Sequence, residues 1–159
     1  MTRKLTNILV TGGAGFIGCN FIHFMFSDES GFSGKIINVD CLTYAGNAES
    51  LKDVDEKYGE LAVKNGLISK ENQRYFFEKV DICDGPAIDA ILKKYHIDTI
   101  VHFAAESHVD RSILGPEAFV KTNVMGTFNL LDCARNYWKN PDGSIRDDVV
   151  IDCCNKYGI

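Results

Sequence analysis

Apolar positions along the chain fall into short solid runs that alternate with longer helical stripes. Leu5 to Val10 is an apolar run ending at glycines, the pattern of a strand buried on both faces. From Gly15 to about Phe26, Ile17, Phe21, Ile22 and Met25 recur at helical spacing. Ser27 to Gly34 is polar and glycine-punctuated, hence a loop. Lys35 to Val39 is a second buried strand, with Asp40 directly after it. The charged stretch Leu51 to Gln73 predicts one or two short surface helices, and Arg74 to Val80 a third strand ending at Asp81-Ile82. Asp84-Gly85-Pro86 is a helix start, followed by the stripe Ile88, Ile91, Leu92, Tyr95 at i, i+3, i+4, i+7. Thr99 to Phe103 is a fourth strand. Pro116 opens a long helix to about Trp138, with Phe119, Leu130, Leu131 and Ala134 as core candidates. After the turn Pro141-Asp142-Gly143, Val149 to Ile151 reads as one more short strand.

Strands alternating with helices of this length give a parallel sheet covered on both faces. The expected fold is α/β, a single doubly wound sheet of Rossmann type. At 159 residues the chain is long enough for one domain spanning 1–159, and there is no internal repeat or interdomain linker. A net charge of −5 and the lack of a basic run argue against nucleic acid or an anionic membrane as partner. Thr11 and the glycines cut Ile8-Leu9-Val10 short, so the N-terminus reads as neither a signal peptide nor a membrane span, and a cytoplasmic location is expected. None of the six cysteines forms a Cys-x-x-Cys pair, which fits reduced thiols. The four histidines have no metal-ligand spacing, so no metal site is expected.

The strongest chemical signal is Thr11-Gly12-Gly13-Ala14-Gly15-Phe16-Ile17-Gly18, placed between a strand and a helix. One glycine permits turn angles that side chains forbid, one lets the main chain approach a pyrophosphate, and one lets the helix pack on the strand. The helix N-terminus then offers unpaired N–H groups to phosphate. Two registers fit: Gly13-x-Gly15-x-x-Gly18, the general dinucleotide pattern, and Gly12-x-x-Gly15-x-x-Gly18. Asp40 ends the second strand 22 positions after Gly18, where an acid should accept hydrogen bonds from the adenosine ribose. A carboxylate there repels a 2′-phosphate, and the next residue is Cys41 rather than an arginine, so NAD is expected over NADP. At the end of the third strand, Asp81 can bond the adenine amino group and Ile82 can pack on its ring. The small residues Ala104 and Ala105 after Phe103 suit close backbone approach to the cofactor.

Two further segments carry a family resemblance. Leu42-Thr43-Tyr44-Ala45-Gly46-Asn47 after Asp40, and Ala104-Ala105-Glu106-Ser107-His108-Val109-Asp110-Arg111-Ser112 after the fourth strand, resemble the dTDP-glucose 4,6-dehydratases of the extended short-chain dehydrogenase/reductase superfamily. The resemblance runs from about Leu5 to Trp138, leaving 139–159 as a divergent tail. UDP-galactose 4-epimerases and UDP-glucuronate decarboxylases share the glycine loop and Asp40, but not this pair of segments. The resemblance implies that Phe16 and Ile17 lie beside the pyrophosphate, and that Asp40, Cys41, Leu42 and Thr43 surround the ribose. Asp81 and Ile82 hold the adenine; Phe103, Ala104, Ala105, Glu106 and Ser107 line the nicotinamide side; Thr122 contacts the cofactor. Ser107 also lies next to the nucleotide sugar, and Cys41 departs from the basic residue often found there. His108 is given a packing role.

The implied reaction is dehydration of dTDP-glucose by internal hydride transfer through NAD. It needs a helical Tyr-x-x-x-Lys and an Asp-Glu pair for the elimination. Tyr75 to Lys79 is the one Tyr-x-x-x-Lys present; it falls in a strand, where alternation places both residues on one face, and reads as a chance match. In the tail, Asp152 and Tyr157-Gly158 have the wrong spacing for the Asp-Glu segment. The chain is expected to be about half the family length and inactive alone, with no catalytic residue of its own. The alternatives are a non-catalytic NAD-binding module, a fragment of a related UDP-sugar epimerase or decarboxylase, and an enzyme completed by a second chain. A homodimer through the helix after Pro116 also fits the resemblance.

Overall fold

A computed structural model describes residues 5–153. Five parallel strands form one sheet in the order β3-β2-β1-β4-β5: β1 is Asn7–Thr11, β2 Lys35–Val39, β3 Tyr75–Glu78, β4 Thr99–His102 and β5 Val150–Cys153. The order reverses at β1, which pairs with β2 on one side and β4 on the other, with Leu9 opposite both Ile37 and Ile100. This is the doubly wound topology, and its switch point lies between the ends of β1 and β4.

Strand alternation sends neighbouring residues to opposite faces, so the sheet divides two cores. Leu9, Ile37, Val39 and Ile100 pack under α4 (Gly85–Tyr95) and α7 (Thr127–Trp138), with Ile88, Leu92, Leu130 and Ala134. Ile8, Val10, Ile36 and Val101 pack on the other face against Ile22 and Met25 of α1 (Phe16–Phe26) and Val54 of α2 (Lys52–Tyr58). Trp138 closes the first core and donates its indole N–H to Ile97 O at 2.8 Å. The helix start read at Asp84 is there: its carboxylate accepts from Ala87 N, with Pro86 in the first turn.

The charged stretch after Leu51 forms α2 and α3 (Glu60–Lys64), as the sequence suggests. Two core candidates differ from the sequence reading: Leu131 is exposed and Phe119 only half-buried, and Ile17 of the α1 stripe is exposed as well. Ile17 sits on the first turn of α1 beside the glycine loop, where the sheet edge offers nothing to cover it. Leu131 continues an outward stripe with Val120, Val124 and Phe128, opposite the face that buries Leu130 and Ala134. Tyr95 packs half-buried on Phe76, ring centres 5.0 Å apart.

The long helix from Pro116 to Trp138 is not uniform. α6 (Pro116–Phe119) runs into a π-helical segment, Val120–Gly126, and then into α7; α5 (Val109–Leu114) precedes it. Such i→i+5 segments shift the phase of everything after them, and a period of 3.6 does not forecast them.

Candidate functional site

The glycine loop occupies the switch point, and each glycine has a separate reason. Gly12 has φ +68°, and a Cβ there would lie 2.6 Å from Ala104 N, so the turn and the close approach to β4 both exclude a side chain. A Cβ on Gly18 would meet Gly12 O at 2.3 Å, because α1 packs directly on the loop. Gly15 differs: its Cβ would meet only Gly12 O at 3.3 Å and otherwise face open space. Gly15 is the middle position of both registers read in the sequence; the first position separates them, and there Gly12, with its positive φ, is the turn glycine, while a Cβ on Gly13 would strike Asn38 Oδ1 at 2.3 Å. No side chain caps α1 at Gly15, which leaves the first N–H groups of that helix available to an anion.

Asp40 is 9% exposed and does two jobs. Its Oδ2 accepts from Ala14 N at 3.0 Å and its Oδ1 from Leu42 N at 2.8 Å. Ala14 is also held from the other side, its carbonyl accepting from Asn47 N at 2.9 Å. A carboxylate has about four acceptor positions, so two remain after these bonds. They suit a pair of ribose hydroxyls without dismantling the loop. Leu42 adopts the left-handed conformation (φ 54°), a strained geometry costing about 1–2 kcal/mol for a residue with a side chain. The Leu42 N–H bond to Asp40 offsets part of that cost.

A cleft of about 690 Å³, its open mouth included, runs along this sheet edge. Gly12, Gly15, Asp40, Cys41 and Thr43 line one part; Asp81, Ile82, Phe103, Ala104, Ala105, Glu106 and Thr122 line the rest. Most of the residues singled out in the sequence thus meet in one place. Phe16 and Ile17 stand exposed at the start of α1, and Gly18 lies buried under the loop; these three, Leu42 and Ser107 are not in the cleft wall. Ser107 and His108 are exposed, and the His108 ring meets Tyr44 edge-on at 6.3 Å.

The far end of the cleft is braced by polar contacts that the sequence did not disclose. His102 is buried between two hydroxyls, with Nδ1 2.6 Å from Thr11 Oγ1 and Nε2 3.0 Å from Thr127 Oγ1. Burial lowers its pKa below the ordinary histidine value. Thr11 Oγ1 also accepts from Ala104 N at 3.3 Å, so the ends of β1, β4 and α7 are tied together. Ile82 is buried under Gly126, whose Cβ would lie 2.7 Å from Ile82 Cδ1. Asn123 bonds both backbone groups of Glu106, and one carboxylate oxygen of Glu106 is buried with no hydrogen-bond partner among the described residues. At the opposite end, burial first and then the carboxylates of Asp40 and Asp81 push the Cys41 thiol up, holding it neutral. Cys19, Cys41, Cys83 and Cys133 are free thiols.

Tyr75 is buried in β3, and Asn38 Nδ2 donates to its hydroxyl at 3.1 Å. Burial pushes its pKa up to about 12, opposite to the direction that a proton-accepting tyrosine requires. Lys79 lies past the strand end and is exposed, so the two do not share the surface that alternation alone suggested. The aromatic rings of Phe26 and Tyr58 cover the sheet at Tyr75, and that cover has ended by Lys79.

With this geometry in place, the comparisons with known proteins are specific. The sequence model described as GDP-mannose 4,6 dehydratase matches residues 9–146. dTDP-glucose 4,6-dehydratase 1 of Escherichia coli K12 is 47% identical over 135 residues, 85% of this chain and 32% of that protein. The crystal structure of DesIV, a dTDP-glucose 4,6-dehydratase from Streptomyces venezuelae with NAD and TYD bound, is 39% identical with a TM-score of 0.68. The match covers 83% of this chain and 36% of that one. A UDP-glucose-4-epimerase structure from Stenotrophomonas maltophila, with bound NAD and formylated UDP-arabinopyranose, is 26% identical with a TM-score of 0.64. There the match covers 83% of this chain and 34% of that one. The chain spans about a third of the length of the curated relatives it matches, less than the half expected from the resemblance. A match over residues 9–146, together with these relatives, places the chain in the GDP-mannose 4,6-dehydratase family, among sequences similar to dTDP-glucose 4,6-dehydratases.

Proposed function

We propose that this chain is the NAD-binding portion of a dTDP-glucose 4,6-dehydratase. The observation that carries the reading is the pairing of Gly15 and Asp40 at the switch point. One glycine is open to the cleft where its neighbours are closed by packing, and one carboxylate keeps two acceptor positions after anchoring the loop. Gly12, Gly15 and the first N–H groups of α1 would hold the pyrophosphate. Asp40 and Thr43 would take the adenosine ribose, with Asp81 and Ile82 at the adenine. Phe103, Ala104, Ala105, Glu106 and Thr122 would line the nicotinamide side, with Ser107 facing the nucleotide sugar. Bound NAD supplies hydride acceptance and return, the redox half of a dehydration that leaves the sugar reduced at a different carbon. This chain's own residues bind and orient the cofactor. The helical Tyr-x-x-x-Lys and the Asp-Glu pair that the resemblance calls for are not among these 159 residues, so this reading assigns them cofactor binding and no catalytic residue.

Two coarser features accompany this reading. Among the described residues no helix is long and apolar enough to cross a membrane. The exposed stripe Val120, Val124, Phe128 and Leu131 suits a second copy of the chain packing helix on helix. Sedimentation of the wild type as a dimer and of Phe128→Asp as a monomer is the expected result; identical sedimentation of both removes the stripe from the interface.

The test of the cofactor reading is calorimetric titration of NAD⁺ into wild type and Asp40→Ala. Loss of binding in a variant that stays folded supports it. Equal binding by both proteins contradicts it.

A further inference from the structure

Three of the four buried residues of β2 are apolar; the fourth is Asn38. A buried amide is costly unless its polar atoms are placed against something, so its contacts must account for it. Its Nδ2 donates to the Tyr75 hydroxyl at 3.1 Å. Its Oδ1 is buried with no hydrogen-bond partner among the described residues. That oxygen stands against Gly13, where a Cβ would lie 2.3 Å from Oδ1 and 2.7 Å from Cγ. In glycine an α-hydrogen takes that direction, so Oδ1 receives a Cα–H, a weak donor. Gly13 has no positive φ, so its backbone does not call for glycine; the Asn38 carboxamide does. The next two residues of β2 complete a pattern. Val39 O accepts from Gly12 N at 2.9 Å, and Asp40 Oδ2 accepts from Ala14 N at 3.0 Å. Three successive residues at the end of β2 thus hold three successive residues of the loop.

We propose that Asn38 is a positioning residue for the dinucleotide: its carboxamide is the floor that sets the height of the glycine loop, and with it the line along which Gly12, Gly15 and the start of α1 meet the pyrophosphate. The inference rests on the cofactor reading above and adds a residue that is not in the cleft wall. A methyl on Gly13 would lift the loop off this floor, and removal of the carboxamide would let it sink. Either shift moves Gly12 and Gly15, which line the cleft, and leaves Asp81 and Ile82 beyond β3 where they are. Tyr75 only terminates the amide. Without its hydroxyl, a turned amide would set N–H against the Gly13 Cα–H, so the carbonyl stays toward the loop.

The experiment measures NAD⁺ by calorimetry and adenosine, which lacks the pyrophosphate, by NMR titration on the 159-residue chain. The variants are Gly13→Ala, Asn38→Ala and the double Gly13→Ala/Asn38→Ala, each checked for folding by circular dichroism. NAD⁺ binding is expected to weaken at least about tenfold in Gly13→Ala and severalfold in Asn38→Ala, while adenosine binding stays within about twofold. In the double variant the new methyl occupies the space the carboxamide has left, and NAD⁺ affinity should recover to within about threefold of wild type, so the two losses do not add. The remaining close atom, Ile22 Cδ1 at 2.8 Å, is the end of a side chain that can turn away. Should Gly13→Ala not fold, Asn38→Ala and the double variant carry the same comparison. Unchanged NAD⁺ affinity in the folded single variants overturns the inference, as does a double variant that binds no better than the singles. An equal loss for NAD⁺ and adenosine also overturns it, since Asn38 would then be merely structural. A wild type that binds neither ligand overturns the cofactor reading itself, and that failure is visible before any variant is made.

Discussion

Exchanging Gly15 or Gly18 for alanine separates ligand approach from packing within one loop. At Gly18 the new methyl would lie 2.3 Å from Gly12 O and 2.6 Å from Gly13 Cα, all backbone that cannot rotate away. Carbon contacts relax only near 3.5–4.0 Å, so α1 must withdraw from the loop by roughly 1 Å. Forced overpacking of this kind costs about 1–3 kcal/mol, against a total stability of about 5–15 kcal/mol for a domain. At Gly15 the methyl meets one atom at 3.3 Å, and the backbone (φ −78°) is one that alanine adopts freely. Stability there should change by less than about 1 kcal/mol, the lost freedom of the unfolded chain offsetting the small give required of Gly12 O and the poorer N-cap. The methyl nevertheless points where the pyrophosphate must approach, so NAD⁺ affinity should fall at least about tenfold, 1.4 kcal/mol. Urea unfolding and NAD⁺ titration of the two variants provide the assay. The reasoning fails if Gly15→Ala is as destabilising as Gly18→Ala, or if it binds NAD⁺ as tightly as wild type.

Two further outcomes follow from the buried polar groups. His102 is held neutral, its folded pKa lowered by burial, so the unfolded chain binds the extra proton first as the pH drops. Its contribution is complete above about 6.5, the unfolded value, and is lost as the pH falls toward the lowered folded value. Urea unfolding from pH 7.5 to 5 should show a steeper decline for wild type than for His102→Gln; parallel curves would refute this. Tyr75→Phe leaves Asn38 Nδ2 without its buried partner and should cost about 1–3 kcal/mol with NAD⁺ affinity unchanged. A loss of affinity without a loss of stability would instead make Tyr75 part of the site.

The fold was legible where hydrophobic period and turn chemistry agree. The buried runs at Leu9 and Ile37, the Asp84 cap and the α4 stripe each specify one element by local physics. The cleft residues were legible because a glycine at a strand–helix junction and an acid at the end of β2 both fall at the same sheet edge, where Gly12, Gly15 and Asp40 line one cleft. Asn123, Thr127 and the Ala14–Asn47 bond were not legible. They depend on a π phase and on loops meeting across the sheet, which no period along the chain encodes. Leu131 misled for a related reason: a helix with apolar residues on two faces does not declare which one the sheet will cover. Tyr75 and Lys79 show the converse, a motif match whose spacing is right and whose environment raises the very pKa that the chemistry must lower.

The most direct test of the central claim is titration of the wild-type chain with NAD⁺ and, in parallel, NADP⁺. Saturable binding of one NAD⁺ per chain, with NADP⁺ much weaker because Asp40 faces its 2′-phosphate, is the predicted result. A folded chain that binds neither, or that binds NADP⁺ as well as NAD⁺, would contradict the assignment of Gly15 and Asp40 as the two ends of a dinucleotide grip.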